Sequence, residues 1–579
     1  MGFLNRFRRD RLSLILLLVI LALGIFIRLN DFSEVGYWND DMSTIPTGLL
    51  AFHPSSSIGY PGLAGQGEPI LGNLIIASGC MLSGEDFSKV SEIKPMFYPG
   101  REELIGTQLI NAFPYCHIPM YLFGILLFLA ISLLALNLLN KYSALFVISF
   151  YAFYPRLLQL SRWIHVDLMG YFFIVSGLLF LWLAYDSKKN KKEIFLFIIS
   201  YTSFALAFAV KLPNGAYLLF ATFILILKYK RELLQLIRKI GFKLDLDVFK
   251  KIDYNEELQP SRLIFISTFS FLFYILTFLI PLYLNPKNLI DIVNKYQSVY
   301  SDKSTLTLNK DVFESIFYFL LTLNIIDILL ILFSLYLLVR LFRIRKNKQE
   351  KFIFHLTIFL ILLLLSVETL VYPRIFLSFS FGLILLTSLA FSNKTYSLFN
   401  LFKLKNRKLI FLSLLLVYVA FSFTLALSSS PHFETKNPFL CRLTSQEDCN
   451  VGLERFVQKD LASYFKTTLK ANETVLLGGI TFYYLNQEQS LPNFYFEESF
   501  RQEVGRYPTM EEKVIYFKPY NKTIRYIILD PNLSKKIDLE PLLVELNKNY
   551  VPNKIIYSKK TEAAWIYDLQ NLTKKENEI

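Results

Sequence analysis

The sequence predicts a polytopic all-α membrane protein that carries a smaller α/β domain at its C-terminal end. Of its 579 residues, 53% are hydrophobic and only 19% are charged. The apolar residues stand in runs of about 20, the length that crosses a bilayer as a helix. Lys and Arg cluster between these runs. The formal net charge of +14 therefore indicates membrane topology, and we expect no nucleic-acid partner.

The apolar runs predict about eleven membrane spans. The first run has a basic start but no small-residue cleavage site, and further spans follow it. It is therefore predicted to be a span rather than a cleaved signal peptide. The predicted spans are 12–29, 115–139, 142–158, 165–186, 193–211, 213–229, 263–284, 312–340, 351–372, 374–392 and 408–428.

The loops between the spans predict the orientation. With a cytoplasmic N-terminus, the basic segments all fall on the cytoplasmic side, and the loops of opposite parity are much poorer in Lys and Arg. This is the distribution that the positive-inside rule describes. The basic segments are "NRFRRDR", Lys141, "SKKNKKE", "KYKRELLQLIRKIGFK", "RLFRIRKNKQEK" and "KNRK".

Two segments on the predicted outer side are long. The loop at about 30–110 contains "PILGNLIIASGCML", which is too short to span and which we expect to be interfacial or re-entrant. The tail combines predicted strands with amphipathic helices. We therefore divide the chain into a membrane domain, 1–430, and an extracytoplasmic α/β domain, 431–579. The predicted strands are "ETVLLGGITFYYL", "IRYIILD", "NKIIYS" and "AAWIYDL".

All four cysteines fall on the predicted outer side, which is the oxidising side. Cys441 and Cys449 lie where the α/β domain begins, and a disulfide between them is one prediction; free thiols are the alternative. Cys80 and Cys116 lie in and just after the first outer loop. Four scattered cysteines do not make a zinc site.

Ionisable side chains gather at the predicted outer ends of the spans. Charges within or beside a span are costly, so they tend to face a polar cavity and to mark function. Any one of them alone is explained as readily by a snorkelling side chain or an interhelical ion pair, but their shared face favours a functional site. The set is Arg28, Asp40, Asp41, Glu68, Arg156, Arg162, His165, Asp167, Lys211, Glu368 and Arg374.

Carboxylates beside cations suit group transfer from a lipid-linked phosphate. A carboxylate can take the proton of an attacking hydroxyl, while Arg and Lys hold the phosphate leaving group as its negative charge develops. The donor would remain in the membrane lipid while the acceptor approaches from outside. These residues fit ion transport less well, because a conduction path needs charged groups distributed across the bilayer.

Five segments resemble motifs of the protein O-mannosyltransferases. "SRWIHVD" at 161–167 resembles their Ser-Arg motif with its later Asp, and "EPILGNL" at 68–74 resembles their His-Pro-Pro-Leu-Gly-Lys segment. "NDD" at 39–41 is similar to the acidic pair after their first span. "AFAVKLPNG" at 207–215 and "YPRIF" at 372–376 resemble their later Lys and Arg motifs. The segments follow the family order over about 430 residues.

The resemblance implies the GT-C fold and the wider superfamily of polyprenyl-phosphate-sugar-dependent glycosyltransferases, which includes aminoarabinose transferases. It implies inverting transfer of a hexose or pentose to an acceptor glycan, lipid or protein. Its departures are Glu68 in place of the leading His, Ile70 in place of the second Pro and Asn73 where a Lys is common.

The resemblance also implies roles for single residues. Asp40 would be the general base and Asp41 its helper or alternative. Arg162 and Lys211 would bind the donor phosphate, with Arg28 and Arg374 as further phosphate contacts, and Asp167 would orient Arg162 or the acceptor. Supporting positions are Glu68, His165, Arg156 and Glu368.

Other interpretations remain open at this stage. Asp40, Asp41 and Glu68 make a set of hard oxygen ligands that would suit Mg²⁺ or Mn²⁺. A transporter or flippase of a lipid-linked saccharide would also have many spans, although the inverted repeats typical of transporters are not evident. A scaffold with an outer binding domain and another lipid-phosphate enzyme, such as an oligosaccharide ligase or a phosphoethanolamine transferase, are further alternatives.

Overall fold

The computed structural model describes the membrane region and the C-terminal domain in part. The described residues are 10–29, 45, 48–49, 70–87, 112, 114–161, 164–187, 190–229, 332, 336–339, 347–366, 376–389, 407–428, 464–465, 467–470, 473–478, 490–491, 523–529, 546, 548–558 and 561–575. The predicted span at 263–284 and most of the one at 312–340 lie outside them, so the count of about eleven spans stays a prediction.

Helices dominate the described part of the first 430 residues. They are α1 Arg11–Leu29, α2 Ile70–Met81, α3 Ile118–Leu138, α4 Lys141–Ala152, α5 Pro155–Leu160, α6 Asp167–Asp186, α7 Asn190–Val210, α8 Ala216–Lys228, α9 Lys348–Ser366, α10 Phe376–Leu389 and α11 Arg407–Ser428. Among the described residues, α1, α3, α6 and α7 are each long and apolar enough to cross a membrane. The chain is a membrane protein.

Helix α1 shows how the sequence separates a bilayer-facing side from a packed side. Its exposed residues are apolar and recur at helical spacing, while the buried residues alternate with them. Apolar side chains on the outside are stable only in an apolar solvent, so this side of α1 faces lipid. The exposed set is Leu12, Ile15, Leu18, Val19, Phe26 and Leu29, and the buried set includes Ser13, Leu16, Leu17, Ile20, Gly24, Ile27 and Arg28.

The ends of the helices gather on two faces. We call the lysine face the one that holds the starts of α1, α4, α7, α9 and α11 and the ends of α3, α6, α8 and α10. Its ion pairs join Asp10 to Lys141, with 2.8 Å between Oδ2 and Nζ, and Glu193 to Lys228, with 2.9 Å between Oε1 and Nζ. Ser143 donates a hydrogen bond to the carbonyl of Ser388 on the same face.

Contacts at the other ends complete the alternation of helix directions. Arg28 at the end of α1 reaches the end of α4, and Asp167 at the start of α6 meets Lys211 just after α7. We call this the opposite face. Neighbouring spans therefore run antiparallel in the order that the basic loops predict. Which of the two faces is cytoplasmic stays a prediction.

One predicted span is interrupted. Residues 142–158 form two helices, α4 and the short α5, because Phe153 and Tyr154 leave the helical ladder before Pro155. Proline disfavours the α conformation in the residue before it and is favoured at the first position of a helix. The span predicted at 213–229 likewise starts with a 3₁₀ turn, Leu212–Gly215, before α8 begins.

Helix α2 is the short outer segment that the sequence predicts to be interfacial or re-entrant. It has 12 residues, about 18 Å of helix, which is too short to cross the hydrocarbon core. A disulfide joins Cys80 near its end to Cys116 just before α3, with 4.2 Å between their Cα atoms. The pair predicted from the sequence, Cys441 and Cys449, lies outside the described residues.

The described part of the C-terminal domain is a mixed sheet with flanking helical turns. The five-stranded sheet has the order β2-β1-β3-β6-β5, with β1 parallel to β2 and β3, and β6 antiparallel to β3 and β5. The predicted strands are confirmed within the described residues; residues 479–485 of the first predicted strand lie outside them. The strands are β1 Glu473–Gly478, β2 Ser490–Leu491, β3 Thr523–Leu529, β4 Tyr550–Val551, β5 Lys554–Ser558, β6 Thr561–Asp568 and β7 Thr573–Lys574.

Apolar side chains pack on both sides of the sheet, and an ion pair lies at one edge of its core. Tyr526 and Ile528 pack on one side of β3 while Ile527 packs on the other, as the two-residue period of a strand requires. Arg525 places Nη2 2.9 Å from Oδ2 of Asp568. Burial alone would raise the pKa of Asp568, but hydrogen bonds from Arg525, Asn571 and the N–H of Gln570 outweigh it and lower the pKa of this carboxyl.

The first prediction concerns orientation. In a background in which Cys441 and Cys449 are serine, we expect Leu82→Cys to react with a membrane-impermeant maleimide in intact cells. Lys192→Cys should react only after the membrane is permeabilised. The reason is that Leu82 lies on the opposite face and Lys192 on the lysine face. Both side chains are exposed. Labelling is read by mass spectrometry, and the reversed pattern would place the lysine face outside.

The second prediction concerns the pH dependence of the sheet. The pKa of Asp568 is lowered in the folded protein, so its ionised form stabilises the fold above the ordinary carboxyl pKa, and this contribution is lost as the pH falls through the lowered value. Amide hydrogen exchange of β3 and β6, corrected for the intrinsic rate, should stay constant from neutral pH to about pH 4 and quicken below it. Asp568→Asn should quicken exchange at neutral pH and flatten this dependence; an unchanged profile in the variant would contradict the assignment.

Candidate functional site

The centre of the candidate site is an ion pair between the ends of two spans. Asp167 is the first residue of α6, and Lys211 directly follows α7, so the antiparallel packing of these helices brings the two side chains together. Lys211 Nζ lies 2.6 Å from Asp167 Oδ1 and donates a hydrogen bond to it. The acidic residue stands in the first turn of its helix, where the helix dipole favours a negative charge.

The two partners differ in how far they are buried. The Asp167 side chain keeps 7% of its surface exposed, while the Lys211 side chain keeps 27%. A charge buried to this extent is stable only when it is paired and hydrogen-bonded. The carboxylate is therefore the buried anchor, and the ammonium is the end of the pair that a ligand from outside the bundle can reach.

His165 adds a third ionisable group to the pair. Its Nδ1 lies 3.3 Å from Asp167 Oδ2 and 3.2 Å from the Asp167 backbone nitrogen, whose N–H donates to it. A neutral ring with an unprotonated Nδ1 accepts this backbone N–H, whereas a protonated Nδ1 would donate to the carboxylate instead. His165 is buried, and in either state it limits the positions open to the Asp167 carboxylate.

The turn after Lys211 is braced by Asn214, a residue to which the sequence analysis assigned no role. The Asn214 Nδ2 donates to the carbonyl of Ala207 at 3.0 Å, and its backbone N–H donates to the carbonyl of Lys211 at 3.1 Å. The Ala207 carbonyl also accepts from the Lys211 N–H at 3.0 Å, so Asn214 adds a second bond there, while its own N–H satisfies the carbonyl of Lys211 just after α7. The motif "AFAVKLPNG" contains Asn214, but only the tertiary fold shows which carbonyl it meets.

Arg28 also lies on the opposite face, in a fully buried setting. Its Nη1 donates to the carbonyls of Gly24, at 2.6 Å, and Ala152, at 3.1 Å, and its Nη2 donates to Tyr151 at 2.9 Å. Its guanidinium carbon stands 4.5 Å from the centre of the Phe128 ring. A cation is stabilised at the C-terminal end of a helix by the helix dipole and the open carbonyls. Arg28 therefore ties α1 to the end of α4, and its role at the donor phosphate stays a prediction.

The other predicted site residues are not placed by the described structure. Arg156 belongs to α5, but its side chain is outside the description. Six others lie outside the described residues altogether: Asp40, Asp41, Glu68, Arg162, Glu368 and Arg374. By sequence, Glu68 stands two residues before α2, and Arg162 stands five residues before Asp167. Of the predicted set, the structure thus brings Asp167, Lys211 and His165 together and places Arg28 in a separate packing environment.

Within the described ranges, no group of three or more His, Cys, Asp or Glu side chains could hold a metal ion. The carboxylates of the predicted Mg²⁺ or Mn²⁺ site, Asp40, Asp41 and Glu68, are not among those residues. The metal therefore stays a prediction, and the ion pair at Asp167 and Lys211 already has a cation that satisfies its carboxylate.

A cavity of about 30 Å³ lies inside the bundle, between α3, α4, α6, α8, α9 and α10. Its wall is almost entirely apolar, with the rings of Tyr151, Tyr171, Tyr217 and Phe381 among the side chains that line it. An apolar cavity of this kind does not hold ordered water. In the described part of the bundle, the cavity offers a charged or hydrated substrate no polar path.

Comparison with known proteins gives structural likenesses only. No family model matches the sequence, and no curated protein sequence matches it. The chain resembles the oligosaccharyltransferase of Archaeoglobus fulgidus tethered with an acceptor peptide that contains the NVT sequon. The identity is 12%, the TM-score is 0.44, and the match covers 97% of this chain and 74% of the other.

Two further solved structures are similar at the same level. ArnT from Cupriavidus metallidurans bound to undecaprenyl phosphate has 12% identity and a TM-score of 0.49, covering 95% of this chain and 97% of that one. The Archaeoglobus oligosaccharyltransferase in complex with zinc and sulfate has 12% identity and a TM-score of 0.40, covering 94% and 72%. No residue role is transferred from them.

The third prediction separates the structural role of Arg28 from a role at the donor. We expect Arg28→Met to lower the thermal midpoint of the purified protein, because it leaves carbonyls at the end of α4 without a buried partner, a loss of about 1–3 kcal/mol per group. Arg28→Lys should be intermediate, since an ammonium cannot reach three carbonyls in the planar geometry of a guanidinium. An unchanged midpoint together with weaker binding of a polyprenyl phosphate would instead place Arg28 at the donor.

Proposed function

We propose that this protein is a membrane glycosyltransferase. It moves a sugar from a polyprenyl-phosphate donor to an acceptor hydroxyl on the outer face of the membrane, with inversion at the anomeric carbon. Asp40 is the general base, and Asp41 is its helper. The sugar is a mannose-like hexose or a pentose, and the acceptor is a glycan, a lipid or a protein.

The observation that carries the proposal is the Asp167–Lys211 ion pair at the ends of α6 and α7. Its more exposed member is the cation, and it lies at the end of the bundle where a lipid phosphate meets water. A lysine ammonium held by a buried carboxylate is fixed in position, and a fixed cation stabilises a charge that develops in the transition state without further reorganisation.

The reaction requires one bond to form while another breaks. The acceptor oxygen attacks the anomeric carbon from the side opposite the phosphate, and the bond between that carbon and the phosphate oxygen breaks with its electron pair going to the phosphate. The proton of the acceptor hydroxyl passes to Asp40. Lys211 and Arg162 stabilise the released polyprenyl phosphate, which gains negative charge as it leaves.

The remaining charged residues act around this step. Asp167, buried beside His165, orients Lys211; Arg374 is a further contact of the phosphate, and Glu68, Arg156 and Glu368 support the cavity. Arg28, which the sequence analysis assigned to the phosphate, instead ties α1 to the carbonyls of α4. If a divalent cation takes part, Asp40, Asp41 and Glu68 are the residues that would hold it, and it would neutralise phosphate charge; no step above depends on it. The C-terminal domain lies outside the membrane with the acceptor.

The fourth prediction tests the catalytic assignment. Purified protein in lipid should consume radiolabelled polyprenyl-phosphate sugar in the presence of a host membrane extract. Asp40→Asn should lower the rate by about 10²–10⁴-fold, the usual contribution of a general base. Lys211→Met should lower it by about 10²–10³-fold, the cost of one electrostatic donor to a transition state.

The matched control is Lys228→Met, which also removes a lysine from a buried ion pair, but on the lysine face. It should lower the thermal midpoint and leave the rate per folded molecule unchanged. Equal losses in the Lys211 and Lys228 variants would contradict the assignment of Lys211, and full activity of Asp40→Asn would move the base to Asp41.

A wild-type protein that moves the donor across vesicles without consuming it would be a transporter. A parallel assay with EDTA decides the need for a divalent cation.

A further inference from the structure

Helix α2 is fastened to the rest of the protein at both ends. Near its start, Gly72 lies against Val166 and Val210. Near its end, Gly79 lies against Pro119 and the carbonyl of Tyr115, and the next residue, Cys80, forms the disulfide with Cys116. Gly72 and Gly79 are two helical turns apart, so they lie on the same side of the helix.

The residues that Gly72 contacts are the chain neighbours of the ion pair. Val166 stands between His165 and Asp167, and Val210 directly precedes Lys211. A Cβ added at Gly72 would stand 2.6 Å from Val166 Cγ1 and 3.3 Å from Val210 Cγ1. Only a glycine allows α2 to approach the side chains of Val166 and Val210 this closely, and all three residues are buried.

The far end of α2 is held by a covalent bond instead of by packing alone. The disulfide ties α2 to the start of α3, so the helix cannot shift along its axis without moving a membrane span. Short helices are marginally stable by themselves in water. Helix α2 therefore depends on these two attachments for a definite position.

We propose that α2 is a positioning element for the Asp167–Lys211 ion pair. Gly72 makes the close contact beside the pair, and the Cys80–Cys116 disulfide is the anchor at the other end of the helix. The expected effect of α2 on catalysis rests on the proposed function, whereas its structural role does not. Helix α2 packs against the residues beside Asp167 and Lys211 and thereby sets the position of the ammonium that faces the donor phosphate. A displacement of about 1 Å in a catalytic group lowers turnover by as much as about 10²-fold.

The first experiment compares Gly72→Ala with Gly79→Ala, which make the same change on the same side of the same helix. A Cβ at Gly79 would also meet atoms within 3.0 Å, at Pro119 and Tyr115, so both variants strain the packing of α2. We expect Gly72→Ala to lower kcat by about 10–10²-fold with little change in the KM for the donor. Gly79→Ala should lower kcat by threefold at most, even where it lowers the thermal midpoint as much as Gly72→Ala does.

A size-compensating variant guards against a simple folding defect. Val166→Ala removes the Cγ1 atom that a Cβ at position 72 would meet at 2.6 Å, and it leaves the Cβ of residue 166, at 2.8 Å, as the contact that a small shift of α2 must relieve. We expect the double variant Gly72→Ala with Val166→Ala to recover kcat to within about threefold of Val166→Ala alone, the remainder reflecting imperfect repacking. No recovery in a double variant that folds with a normal thermal midpoint would overturn the role of Gly72.

A second readout does not need catalysis. The acylation rate of Lys211 by an amine-reactive reagent, followed by mass spectrometry, reports how well Asp167 holds the ammonium, and the exposed Lys192 serves as the internal reference. Gly72→Ala should raise the Lys211 rate relative to Lys192, and Gly79→Ala should not. Equal rates in the wild type and Gly72→Ala would overturn the positioning role.

The same readout tests the anchor. The double variant Cys80→Ser with Cys116→Ser should raise the Lys211 acylation rate and lower kcat, whereas Ser78→Ala, an exposed change on the same helix, should do neither. If the wild type transfers no sugar but Lys211 acylation responds as expected, the proposed function fails and the positioning role stands. If sugar is transferred and neither kcat nor acylation responds to Gly72→Ala and the disulfide variant, the positioning role alone fails.

Discussion

The need to satisfy charge at the ends of membrane helices organises what is described of this protein. A helix leaves carbonyls open at its C-terminal end and N–H groups at its start, and in a bilayer these groups cannot be left without partners. On the opposite face, Asp167 starts α6, Lys211 follows α7, and the two neutralise each other at 2.6 Å. On the lysine face, Glu193 and Lys228 do the same for α7 and α8. The antiparallel arrangement of α6, α7 and α8 brings the ends that carry these residues together.

Both faces carry ion pairs, yet they are built differently. On the lysine face, Lys228 also donates to the carbonyls of Ala184 and Ser187, and its side chain keeps 16% of its surface exposed. The cation is the more exposed partner of its pair on both faces, but on the opposite face a short disulfide-bound helix lies beside the pair. Arg28 shows that a buried charge on the opposite face can also serve packing, because it joins α1 to the carbonyls of α4.

Much of the membrane fold was predictable because hydrophobic runs and basic loops are strong local signals. The break between α4 and α5 was predictable in principle from Pro155, but the apolar run conceals it. The predicted strands β1, β3, β5 and β6 are confirmed because their alternation of apolar residues is local as well. The pairing of Cys80 with Cys116 was not predictable in this way, because these residues are 36 apart in the sequence and meet only when α2 folds back on α3. The pair Cys441 and Cys449 stays a prediction.

The sequence by itself determined the class of this protein, the order and alternation of its spans, and the residues from which a site on one face could be built. These depend on composition, periodicity and charge, which act along the chain. Only the tertiary structure decided which of those residues meet. It paired Lys211 with Asp167 across 44 residues, turned Arg28 toward backbone carbonyls, and placed Gly72 against Val166 and Val210. The reason is that such contacts depend on how closely helices approach in three dimensions, a distance that no spacing in the sequence contains.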